Sequence, residues 1–221
     1  MKKLFFIAFT FMLGTLGLHA QTTPNQRWQM RLRGVVVMPT ESANINTIGG
    51  DIDINTKLIP ELDFTYFFTK NIAAELILGT TKHKVNTVGS DLTAIGGSSS
   101  NNVDLGSVWL LPPTLTAQYH FLPDGPIKPY VGAGINYTIF YSVNAGPTVK
   151  NVKYDNAFGF ATQLGLDIKL SDKYFLNLDA KYILLKTDVN VDGSNLAPNL
   201  SIPAKVDINP FLLGFGVGMK F

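Results

Sequence analysis

Thirteen polar or ionisable side chains fall at alternating positions along this chain: Arg31, Arg33, Glu61, Asp63, Glu75, Gln118, His120, Gln163, Asp167, Lys169, Asn177, Asp179 and Lys181. Side chains two apart on an extended backbone share a face. Mixed charges gathered on one face suit a network of charge-assisted hydrogen bonds shielded from water. They do not suit a nucleophile and its base, which need Ser or Cys beside His. No Gly-x-Ser-x-Gly elbow, metal-spaced His pair or phosphate loop occurs. Gly132-Ala-Gly134 lacks both the third glycine and a following helix. Catalytic residues, metal ligands and cofactors are therefore all expected to be none. Without cysteine there is no disulfide framework and no thiolate site.

These residues need eight strands to position them. Alternation predicts strands near Trp28–Met38, Lys57–Phe68, Ile72–Val85, Leu105–Phe121, Lys128–Ser142, Ala157–Leu170, Tyr174–Asp188 and Val206–Phe221. The last carries apolar residues at every odd position from 211 to 221, and Gly, Gly, Gly and Lys at 214, 216, 218 and 220. Connections alternate in length: 69–71, 122–127 and 171–173 are tight. Those near 39–56, 86–104, 143–156 and 189–205 are long and rich in Gly, Ser, Asn and Pro. Short turns at one end and long loops at the other predict an all-β fold, an eight-stranded antiparallel transmembrane barrel with short periplasmic turns and long extracellular loops.

Composition agrees with lipid as the outer solvent. The 221 residues are 46% hydrophobic and only 15% charged. Met1-Lys2-Lys3, the apolar run Leu4 to Leu18 and His19-Ala20 read as a signal peptide, residues 1–20, leaving a barrel over 21–221. Removing Lys2 and Lys3 leaves 16 basic residues against 16 acidic ones, so no nucleic-acid partner is expected. Beyond the leader no segment approaches the ~20 apolar residues of a spanning helix, and a closed barrel is the other way to satisfy backbone groups in lipid. A soluble eight-stranded barrel would turn its apolar residues inward. Here the large ones, such as Phe158, Phe160 and Leu164, share a face opposite Gly159, Ala161 and Gly165, which fit a narrow interior.

Outward aromatics form two predicted girdles at the headgroup levels, Trp28, Tyr66, Phe68, Tyr119, Phe121, Tyr174 and Phe221 toward the short turns, and Trp109, Tyr137, Tyr141, Phe158 and Phe211 toward the loops. Inward positions change character along the axis. Toward the short turns Arg31, Arg33, Glu61, Asp63, Glu75, His120, Asp167, Lys169, Asp179 and Lys181 form a polar plug. Toward the loops Val35, Val37, Ile59, Ile77, Val108, Leu110, Phe140, Ile183, Leu185 and Leu212, with Ile208, make the lumen apolar.

Met30-Arg-Leu-Arg-Gly-Val-Val-Val-Met-Pro39, Leu111-Pro-Pro-Thr-Leu-Thr-Ala-Gln-Tyr-His-Phe121 and Pro129-Tyr-Val-Gly-Ala-Gly-Ile-Asn-Tyr-Thr138 resemble the OmpW family of outer-membrane proteins, as do Pro60–Phe68, Asn71–Leu76 and Asn177–Tyr182. The resemblance spans nearly the whole mature chain. It implies a monomeric outer-membrane barrel that passes small hydrophobic molecules. The expected partners are the lipid bilayer, a small hydrophobic ligand in the upper lumen, and the barrel-assembly machinery, for which Phe221 is a weak signal. Two other readings stand beside it. A structural or surface-recognition barrel would have a lumen filled by side chains. An outer-membrane enzyme would need His83 with loop Ser or Asp residues, because alternation puts His120 at the opposite end.

Overall fold

The computed structural model describes residues 26–45 and 47–221; the signal peptide expected at residues 1–20 lies outside them. Fourteen strands follow one another: β1 (Trp28–Met38), β2 (Ser42–Ile45), β3 (Asp51–Ile54), β4 (Lys57–Phe67), β5 (Ile72–Gly79), β6 (Thr81–Ser90), β7 (Asn101–Leu111), β8 (Thr114–His120), β9 (Ile127–Ala145), β10 (Asn151–Tyr154), β11 (Ala157–Lys169), β12 (Tyr174–Asp192), β13 (Ser201–Asp207) and β14 (Phe211–Lys220). The one helical element among the described residues is a 3-10 turn at Thr93–Ile95.

Eight of these close a ring. Going round it, β1, β4, β5, β8, β9, β11, β12 and β14 pair antiparallel with their neighbours, and β14 returns to β1. That closing seam runs in register from Gln29 opposite Lys220 to Met38 opposite Phe211. Glycine makes it possible. A Cβ on Gly216 would sit 2.7 Å from Arg33 Cα and against the Leu32 carbonyl. Large apolar side chains cover the outside, with Phe158 76% and Leu164 61% exposed. A continuous apolar surface of this extent is a membrane-facing one.

Trp28–Met38 is the predicted first strand, and β4 ends one residue short of its prediction. Three other predictions change. The run Ile72–Val85 is two strands meeting at Thr80, and Leu105–Phe121 is two strands meeting at Pro112-Pro113. Proline has no N–H for the ladder, so pairing stops there. Val206–Phe221 is also divided: Asn209 takes φ +38° and Pro210 follows, which separates β13 from β14.

The long connections are about half strand, not open loop throughout. β13 pairs with β12 and β2, β10 pairs with β12, and β3 with β6 and β7 with β9 extend the other side of the wall. Their alternation explains this: Ile45, Ile52, Val103, Val152, Val191 and Ile202 all turn into one apolar cluster above the ring. At the tips, Asp91 is held below the usual carboxylate range by Thr93, through its backbone N–H and then its hydroxyl.

Candidate functional site

The lower lumen is built on β1. Arg31 stands between Gly218 of β14 and Asp63 of β4, and Arg33 between Gly216 and Glu61. Gly216 leaves room for Arg33, whose Cγ would lie 2.8 Å from a Cβ there, and Gly218 leaves room for the Phe175 ring. Arg31 donates Nε to Asp63 Oδ1 at 2.7 Å, and Nη2 to Glu75 Oε1 and Thr65 Oγ1, both at 2.6 Å. Arg33 Nη2 lies 2.8 Å from Glu61 Oε1, 2.9 Å from Asp63 Oδ2 and 3.0 Å from Glu75 Oε1. Lys181 Nζ bridges Asp179 Oδ1 at 2.8 Å and Glu61 Oε1 at 3.2 Å. The Gln118 and Gln163 amides donate to Glu75 Oε2 at 2.6 and 2.7 Å. Both guanidinium groups are fully buried.

Nine of the ten residues expected in the polar layer are buried on this inner face: Arg31, Arg33, Glu61, Asp63, Glu75, His120, Asp167, Asp179 and Lys181. Lys169 departs from that expectation. Its side chain is 46% exposed and pairs with Asp172 at 2.6 Å in the adjoining turn. It is the last residue of β11, where the end of the ladder frees it to reach water. Tyr130, Thr65 and Thr116 are members that sequence reasoning missed, and Tyr130 is the largest of them. Its hydroxyl donates to Asp179 Oδ2 at 2.7 Å and accepts from Asn177 Nδ2 at 3.0 Å, and His120 stacks on its ring. It shares the inward parity of Gly132 and Gly134, so alternation alone would have found it.

Within this layer Glu61, Asp63, Glu75, Asp167 and Asp179 face Arg31, Arg33 and Lys181, an excess of two carboxylates. Buried ion pairs add little net stability, because desolvation offsets their attraction, but losing one partner is costly. The side chains of the layer therefore depend on one another for their partners.

Above it lies an apolar cavity of about 80 Å³, with Glu61 and Lys181 in its floor. Val37, Ile59, Ile77, Val108, Leu110, Phe140, Ile183, Leu185, Leu212 and Ile208 line it. Val35 is fully buried but outside that lining, with Cγ2 3.4 Å from where a Cβ on Gly214 would be. Ile52, Ile54 and Tyr154 join the lining from stretches expected to be loops, and Tyr154 stacks on Phe140. The polar groups in the wall are already engaged. His83 Nδ1 lies 2.8 Å from the Asn55 carbonyl and Nε2 lies 3.1 Å from Thr81 Oγ1. The Thr138 hydroxyl donates to Asn136 Oδ1 at 2.8 Å, and that of Thr187 to the Asp155 carbonyl at 2.6 Å.

The wall is interrupted beside this cavity. Pairing of β5 with β8 stops at Ile77 opposite Thr114, and pairing of β6 with β7 begins at Thr81 opposite Leu110. Between them Thr80 Oγ1 donates to the Leu110 carbonyl at 3.0 Å. On the other side, β4 has no ladder partner in β6 above Glu61 opposite Gly79. Gly79, Thr81, Pro112 and Thr114, at these breaks, also line the cavity.

A closed eight-stranded ring with an apolar exterior, short turns at one end and a charged inner layer defines a small outer-membrane β-barrel. The OmpW family profile matches residues 27–221, and the chain belongs to the OmpW family. Among its relatives, the uncharacterized outer-membrane protein y4mB of Sinorhizobium fredii is 45% identical, the match covering 94% of this chain and 84% of the relative. Outer membrane protein W of Vibrio cholerae is 32% identical, with 84% of each chain covered. The crystal structure of the outer membrane protein OprG from Pseudomonas aeruginosa superposes with a TM-score of 0.77 at 24% identity, covering 88% of this chain and 95% of that one. The solution structure of Escherichia coli outer membrane protein W gives 0.57 at 27% identity, covering 88% and 97%. The protein is an outer-membrane protein.

Proposed function

We propose that this barrel passes small hydrophobic molecules from the extracellular side through its apolar upper lumen and releases them sideways into the bilayer. The observation that carries the reading is the coincidence of an apolar cavity, a charged floor and a broken wall at one level. A solute entering from above meets the Glu61–Lys181 floor, where continuing downward would cost desolvation of a buried ion network. The lateral exit at Gly79 and Pro112 leads instead to lipid, a solvent as apolar as the cavity. The protein does this as a monomer, with no catalytic step.

The cavity's size favours a second reading. At about 80 Å³ it is smaller than the roughly 150 Å³ that accepts a benzene molecule in an engineered protein core. A solute must displace side chains, the Phe140–Tyr154 stack foremost, and a barrel that never opens this way is a structural or surface-recognition protein. Liposome uptake separates the two. Leu110→Asp and Phe140→Asp each set a carboxylate in the apolar lining, and uptake of an apolar tracer is expected to fall to the protein-free rate. Folded yield is measured alongside, since the carboxylate also costs stability. Equal uptake by folded wild type and folded variants would assign the filled barrel.

A further inference from the structure

The periplasmic end of the lumen holds a second recess, of about 190 Å³, below the ionic layer. It is polar, and has room for several water molecules at roughly 30 Å³ each. Lys128, Lys220 and Arg27 line it. None of the three pairs with a carboxylate among the described residues, whereas Lys70 on the rim is neutralised by Asp124 at 3.1 Å. Lys220 lies opposite Gln29 on the β14–β1 seam, and Lys128 lies opposite Asp167 on β9–β11.

Gln29 is the second, independent feature. It lines the same recess at 3% exposure, and its Oε1 is buried with no hydrogen-bond partner among the described residues. A buried amide oxygen without a donor carries a desolvation cost that a ligand bringing the missing proton relieves. A group that satisfies all four side chains must be anionic and must also donate a hydrogen bond. Sulfate and carboxylate anions have no proton to give. A phosphate with one P–OH has both.

We infer that the periplasmic mouth binds a protonated phosphate group, its oxygens held by Lys128, Lys220 and Arg27 and its P–OH donated to Gln29 Oε1. Inorganic phosphate and the phosphomonoester headgroup of a periplasmic-leaflet lipid share this chemistry. The site needs nothing from the upper lumen and stands or falls apart from the transport reading.

The test is an NMR titration of the full-length mature protein in micelles, following the amides of residues 27–29, 128 and 218–220. Inorganic phosphate is expected to shift them saturably, sulfate at the same ionic strength at least several-fold more weakly. The same shifts with phosphatidic acid bicelles, and none with free phosphate, would assign the lipid source. Lys128→Gln with Lys220→Gln is expected to weaken phosphate at least tenfold, and Gln29→Met to remove its preference over sulfate while leaving charge attraction. Heat-modifiable migration on a gel confirms that each variant is folded. Shifts spread over the whole surface, equal affinity for phosphate and sulfate, or unchanged binding in the double lysine variant would each overturn the inference.

Discussion

Gly165→Ala adds one methyl group, and the interior has no place for it. The new Cβ would lie against Cζ and Oη of Tyr130 and 2.6 Å from Cε1. Contacts this short force the ring to move, because the chain at Gly165 is pinned opposite Tyr130 on one side and Asp179 on the other. Moving the ring pulls its hydroxyl from Asp179 Oδ2 and from Asn177 Nδ2, at 2.7 and 3.0 Å. Overpacking costs about 1–3 kcal/mol, and a buried polar group left unpaired about as much again. The expected loss is about 2–6 kcal/mol, read as the shift in urea-unfolding free energy in lipid vesicles. Tyr130→Ala removes the obstacle at its own cost. In that background Gly165→Ala should lose most of its effect, a coupling of at least about 1 kcal/mol. Additive losses, or a single-variant loss below about 0.5 kcal/mol, would refute the packing argument.

Leu164→Arg, one residue away but facing outward at 61% exposure, should cost about 2–4 kcal/mol in lipid and little in assembly of the lumen; a neutral result would mean that this face meets water. Glu75→Gln removes the carboxylate shared by Arg31 and Arg33, and unfolding should become about 3–5 kcal/mol easier; near-wild-type stability would show that the remaining acids suffice. Unboiled and boiled samples of the mature protein should migrate differently on a gel, since a closed ladder resists detergent at room temperature; identical migration would contradict a closed ring. In the extracellular tip, hydrogen bonds from the Ser194 hydroxyl and then its N–H hold Asp192 below the usual carboxylate range. A carboxylate depressed on folding adds stability above its unfolded pKa that is lost as pH falls, so Ser194→Ala should raise the Asp192 midpoint in an NMR titration, and an unmoved midpoint would disprove the capping.

Alternation made the ring legible because it is a backbone property: β1 and β14 expose one parity and bury the other without exception over their middle residues. The same parity exposed the ionic layer, since a charge on the inner face must find partners there. Three things escaped it. Pairing partners were not readable, so the strands above the ring passed for loops although Ile52, Val103 and Val191 alternate as strictly as any wall strand. Chain ends were not readable, so Lys169 was expected in the layer that its terminal position lets it leave. Cavity volume was not readable at all, because it depends on how Phe140, Tyr154 and their neighbours pack across the axis.

The seam between β1 and β14 has a consequence for how the protein reaches its final state. It joins nearly the first described residue to nearly the last, Gln29 to Lys220. Closing so long a loop is slow, because its entropy is lost before any contact across it is gained. Until it closes, β1 and β14 each present a free edge whose N–H and C=O groups have no partner in hydrocarbon, at several kcal/mol apiece. No subset of the strands escapes this penalty, so a half-built barrel has no resting place in the bilayer. Insertion and ring closure must then be one event, with the free edges shielded from lipid until β14 arrives.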